Sequence, residues 1–96
     1  MRIARVVGSA VSTAKEPSLV GHKLLLVRDT DETGAVTGPV QVAVDAVGAG
    51  TGELVMVSDG SAARQTTGTA NQPVDAVIMG ILDSLEVDGT VTFRKE

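Results

Sequence analysis

Apolar residues in this chain recur with the period of a strand far more than with that of a helix. Over residues 2–13, Ile3, Val7 and Val11 fall on one face and Val6, Gly8 and Ala10 on the other. The segment is rich in β-branched residues and lacks a helical period, which predicts a strand. Lys15-Glu16-Pro17-Ser18 breaks it, because proline has no amide hydrogen to donate, and Gly21 punctuates further. Lys23–Arg28, built on Leu24, Leu25, Leu26 and Val27, predicts a second strand. Its unbroken apolar run implies contacts on both faces. Residues 29–39 are acidic and rich in turn formers, predicting an exposed loop with a mobile tip. The cleanest alternation is in Val40–Val47, where Val40, Val42 and Val44 alternate with Gln41, Ala43 and Asp45.

Gly48-Ala49-Gly50-Thr51-Gly52 predicts a tight loop, and Glu53–Val57 the strand after it. Asp59-Gly60-Ser61 offers a turn in which Ser61 is an N-cap for one short helical turn, Ala62–Gln65. Thr66–Gln72 is a polar connector. Pro73 then opens a long apolar segment, Val74–Leu82. Its β-branched Val77, Ile78 and Ile81, with Gly80 interrupting, favour a strand over a helix. Asp88-Gly89 between Leu85-Glu86-Val87 and Thr90-Val91-Thr92-Phe93 is a type I′ hairpin signal. The expected fold class is all-β: five or six short strands and about one short helix. They form a small closed barrel, which removes exposed sheet edges.

Composition narrows the picture. The chain has 96 residues, a formal net charge of −4, no cysteine, one histidine and one aromatic, Phe93. The length fits a single domain over residues 1–96. Disulfides, thiolate metal sites, cysteine nucleophiles and sites needing two imidazoles are excluded. The acidic balance and missing aromatics argue against nucleic acid, even for a five-stranded barrel, because single-strand binding needs a basic groove and stacking platforms. No apolar run approaches the roughly 20 residues that span a bilayer, and no signal-peptide pattern is present. A soluble, intracellular protein is expected. The aromatic deficit is unusual for a small domain, since such side chains bury roughly 150–250 Å² each. Either the domain is marginal alone or it gains burial by self-association.

Candidate chemistry is sparse. Gly48-x-Gly50-x-Gly52 has neither the spacing nor the following helix of a phosphate loop, and Glu53 would repel a phosphate. A tight strand-to-strand turn is the better reading. Asp45, Asp75 and Asp83 could act as paired carboxylates or hold a cation. Hydrogen bonding to loop amides, or ion pairs with Arg5, Arg28 or Arg64, is favoured. His22 lacks a nucleophile partner, and Ser61 lacks the elbow context of a hydrolase serine. No catalytic, metal or cofactor site is expected.

Several stretches resemble the EutN/CcmL family of bacterial microcompartment shell vertex proteins. They are Val6-Val7-Gly8, Leu19–Leu25, Val42–Glu53 with its Asp45-Ala46-Val47-Gly48-Ala49-Gly50-Thr51-Gly52-Glu53 core, Gly60–Arg64 and Pro73–Asp83. They occur in order over nearly the whole chain; residues 29–39 and the tail after Val87 carry no specific signal. The resemblance implies an oligonucleotide-binding-like barrel assembled as a homopentamer. It implies a structural, non-enzymatic role, with no cofactor, at the corners of a cytoplasmic polyhedral shell. The facets of that shell are tiled by hexameric proteins, and it encloses metabolic enzymes. A five-fold ring closes through heterologous contacts, and small residues let backbones approach there. Asp45, Gly48, Ala49, Gly50, Gly52 and Glu53 are therefore expected at the subunit boundary or near the central opening. Gly60, Ser61 and Arg64 are expected to help fix the neighbour. The competing reading is a small ligand-binding or catalytic barrel using Asp45 and Asp75.

Overall fold

Short branched side chains on one face of a strand suit a narrow lumen, and five strands here close around one. The computed structural model describes residues 1–11, 13, 21–60 and 75–96. Its strands are β1 (Arg2–Ala10), β2 (Leu24–Thr30), β3 (Val36–Asp45), β4 (Leu54–Asp59), β5 (Ala76–Ile81), β6 (Ser84–Val87) and β7 (Thr90–Arg94). The first five form a closed barrel in the order β1-β2-β3-β5-β4, with β4 pairing back onto β1. The β3–β5 seam is parallel and the other barrel pairs are antiparallel. β6 and β7 form a separate antiparallel hairpin. The closed barrel of the sequence reading stands, as does the strand at Ala76–Ile81. The predicted I′ turn is also present: Asp88 and Gly89 have φ of 50° and 80°, positive at both central positions. The predicted break at Lys15–Ser18, the Ser61 cap with its helical turn at Ala62–Gln65, the connector at Thr66–Gln72 and Pro73 lie outside the described residues.

The core is made of Ala4, Val6, Leu25, Val27, Ala43, Ala49, Val55, Val57, Ala76 and Ile78. None is aromatic. A barrel of so few strands has an interior just wide enough for aliphatic side chains, and Phe93 sits outside it on β7. The aromatic deficit thus has a geometric reason in the lumen itself.

Two expectations change. The first strand ends at Ala10, short of residue 13, and Val11 beyond it is 98% exposed. The loop expected over 29–39 contracts to a turn at residues 31–35, because β2 runs to Thr30 and β3 begins at Val36. Pro39 lies within β3, where the ladder register shifts between Arg28 and Thr30. Proline is tolerated at such an irregularity because no ladder hydrogen bond is demanded of it. The turn is also not loose: the Asp31 carboxylate accepts the amides of Thr33 and Ala35 and the Thr33 hydroxyl. The fold also decides which face of the alternating β3 segment is inside. Val40 and Val42 point outward, 54% and 53% exposed, while Ala43 faces the lumen opposite Leu25.

Candidate functional site

The loop between β3 and β4 is folded by two carboxylates. Asp45 ends β3, and its Oδ1 accepts the amides of Val47, Gly48 and Ala49 at 3.0–3.2 Å. Aspartate readily bonds the backbone just ahead of it, which is how it nucleates turns. The Asp45 side chain is 1% exposed, with Lys23 Nζ 3.7 Å from its other oxygen. Lys23 also donates to the Ala49 carbonyl at 3.2 Å. Bent this way, the loop drives Ala49 into the barrel core, fully buried. The expected tight strand-to-strand turn is present, and the acid does hydrogen bond to loop amides.

Glu53 fastens the other side of the loop. Its Oε1 accepts the Gly50 amide at 2.6 Å, and its Oε2 meets Lys95 Nζ at 2.7 Å. The lysine and that amide hold the Glu53 carboxyl below its ordinary range, and Glu53 in turn raises Lys95. The Gly52 (φ 92°) amide donates to the Val6 carbonyl of β1 at 2.8 Å, and the Val6 amide donates to the Glu53 carbonyl at 2.9 Å. The Gly52 carbonyl accepts Arg5 Nη1 at 2.8 Å.

Arg5 also donates from Nε and Nη2 to the Gly34 carbonyl, and its guanidinium lies 5.9 Å from the Phe93 ring centre. A Cβ at Gly34 would meet Arg5 Nη2 at 2.7 Å and Phe93 at 3.0 Å, at a φ of 85°. Thr92 Oγ1 on the same hairpin donates to the Glu32 carbonyl. One arginine and the β6–β7 hairpin therefore tie the 31–35 turn to the glycine loop. Around this junction a cleft of about 440 Å³ is lined by Arg5, Glu53, Leu54, Phe93, Arg94 and neighbouring residues.

Elsewhere, Arg2 clamps Asp59 with two hydrogen bonds, 2.8 and 2.9 Å, and also pairs with Asp29. This pairing holds the Asp59 carboxyl low and raises Arg2.

Two of the three arginines proposed as carboxylate partners, Arg5 and Arg28, act otherwise. Arg5 and Arg28 donate to backbone carbonyls, Arg28 to Gly38 at 2.7 Å. Arg64 and Ser61 lie outside the described residues, and Gly60 is exposed at the end of β4. With Asp45 committed to its loop, Asp75 and Asp83 are exposed and contribute main-chain carbonyls, to the Gly60 and Lys95 amides. Among the described residues no three acidic or histidine side chains gather as a metal site would require. His22 is half-buried just before β2.

Sequence reasoning missed Lys23, Lys95 and the Arg5–Phe93 pair. Only Phe93 left a trace, as the lone ring available for a cation to stack on.

The chain as a whole is similar to known proteins. A family model described as "Ethanolamine utilisation protein EutN/carboxysome" matches residues 1–83. The carboxysome shell vertex protein CcmL of Gloeobacter violaceus is 49% identical over 96 residues, covering 100% of this chain and 96% of the relative. Its solved structure superposes with a TM-score of 0.92 over 99% of this chain and 98% of that one. The bacterial microcompartment shell vertex protein PduN of Salmonella typhimurium is 49% identical over 89 residues, 88% of this chain and 98% of the relative. The pentameric microcompartment shell protein GrpN from Rhodospirillum rubrum is 46% identical, with a TM-score of 0.82 over 91% of this chain and 99% of that one.

Proposed function

The chain belongs to the EutN/CcmL family, and from that membership we propose that it is a structural shell protein. It forms a homopentamer that caps the vertices of a polyhedral bacterial microcompartment enclosing metabolic enzymes, within the cytoplasm. It assembles there with other shell proteins, on this reading the hexamers of the facets. The observation that carries this is the match of the whole chain to a shell vertex protein, at 49% identity and a TM-score of 0.92. The similarly folded GrpN is pentameric.

The role is structural and not catalytic. In support, the relatives are shell vertex proteins, and the acid that a catalytic barrel would use, Asp45, is sealed under its own loop. The single domain spans residues 1–96. The glycine loop, with Asp45 and Ala49 beneath Gly48, Gly50, Gly52 and Glu53, lies at the subunit boundary or by the central opening, together with Gly60, Ser61 and Arg64. A Cβ added at Gly48, Gly52 or Gly60 would meet nothing within 4 Å, so these positions leave bare backbone for a neighbour to approach.

The test has two stages. Native mass spectrometry at micromolar concentration should give five times the 9.8 kDa chain mass; a monomer would overturn the reading. Co-expression with a hexameric facet protein should then give closed shells by electron microscopy, and open shells when this chain is omitted.

A further inference from the structure

A closed barrel has no free strand edge, so copies of it cannot join by adding strands. Side chains on the barrel wall offer another kind of contact, and one stretch of wall is suited to it. Partners across antiparallel pairs share a face, which puts Leu26 beside Val42 and Leu24 beside Val44 on the outside of β2 and β3. The row continues to Val40, opposite Arg28. The Arg28 head is turned onto the Gly38 carbonyl. Opposite Leu26 on β1 stands Gly8, which adds no side chain to the wall. At one end the row runs into a small outer cluster in which Val44 and Val77 are buried against Leu24 and Met79. At the other end Val42 and Val40 are more than half exposed. The wall is thus apolar from a buried end to an open one.

We propose that the outer β2–β3 wall, centred on Leu26, Val40 and Val42, is the surface on which a second copy of this chain docks in the ring. This rests on the pentameric reading above and assigns its contact. A second copy is the favoured occupant because the 46%-identical GrpN is pentameric, and because a ring covers two different flanks of every barrel. The patch lies on a flank, along the strands, and not among the loops at an end. The contact is heterologous, so the docking copy presents a different surface.

The experiment compares three variants with the unaltered chain by native mass spectrometry and sedimentation over a dilution series. Val42→Asp buries a charge in the contact and should give a folded monomer at concentrations where the parent is pentameric. Val42→Thr keeps the β-branched shape that the strand favours. It should raise the concentration of half-dissociation by at least about tenfold, since every subunit carries the change. Val91→Asp, at a position 45% exposed on the hairpin, should leave the pentamer intact. Circular dichroism checks that each variant is folded, and the threonine variant serves if the aspartate variant is not. A pentamer unchanged by both Val42 variants overturns the assignment, as does one that persists but no longer closes shells with a hexameric partner. A parent chain that is itself monomeric overturns the pentameric reading instead.

Discussion

At the residue scale, Asp45 does the most organising. One oxygen gathers three consecutive loop amides and holds Ala49 in the lumen. Removing it leaves the buried Ala49 amide without its acceptor and loosens the plug at that end of the core, which costs about 2 kcal/mol. Asp45→Ala should lower the thermal midpoint by roughly 10 °C for a domain of this size. Asp45→Asn, which retains an acceptor oxygen, should recover most of the loss. Scanning calorimetry at one fixed protein concentration checks both, since assembly makes the midpoint concentration-dependent.

Among the elements, the β6–β7 hairpin lies beyond the family match at residue 83 but is not an appendage. Lys95 reaches Glu53, Thr92 reaches Glu32, and Phe93 packs by Gly34 and Arg5. The Glu53 and Asp59 carboxyls are both held below their ordinary range in the folded chain. At acidic pH the unfolded chain therefore binds more protons than the folded one. The stability from these ties is complete above the ordinary carboxylate range, about pH 4–5, and is lost as pH falls through the lowered folded values. Lys95→Met should flatten part of this acid slope by releasing Glu53, while the Arg2–Asp59 share remains. Denaturation midpoints measured between about pH 5 and pH 2 test it; an unchanged slope would show that the hairpin does not hold the carboxylate. The Asp88-Gly89 turn was legible in the sequence because its φ requirement is local. The hairpin's docking was not, because each of its contacts spans a long stretch of chain.

For the whole molecule, the glycine loop as a subunit boundary makes its own prediction. Gly50→Leu should weaken the pentamer, seen as dissociation by light scattering on dilution. The intrachain cost must be separated from this: a Cβ at Gly50 stands 3.4 Å from Glu53 Oε1, so the folded monomer's stability is measured in parallel. A variant that is fully pentameric at low concentration removes the loop from the boundary. The barrel wall and the loop are distinct places, and the Val42 and Gly50 variants address them independently.

The sequence by itself determined the fold class, most of the strands and the hairpin turn, and carried the family resemblance. The strands and the turn follow from short-range pattern, alternation and turn chemistry, while the resemblance rests on motifs in order along the chain. Tertiary structure alone decided which face of an alternating strand is inside. Periodicity put Val40 and Val42 on one face and Ala43 on the other, and the register against β2 puts Ala43 in the narrow lumen and the valines outside. It also decided the partners of Arg2, Arg5, Lys23 and Lys95, because barrel closure brings together residues that the sequence keeps far apart.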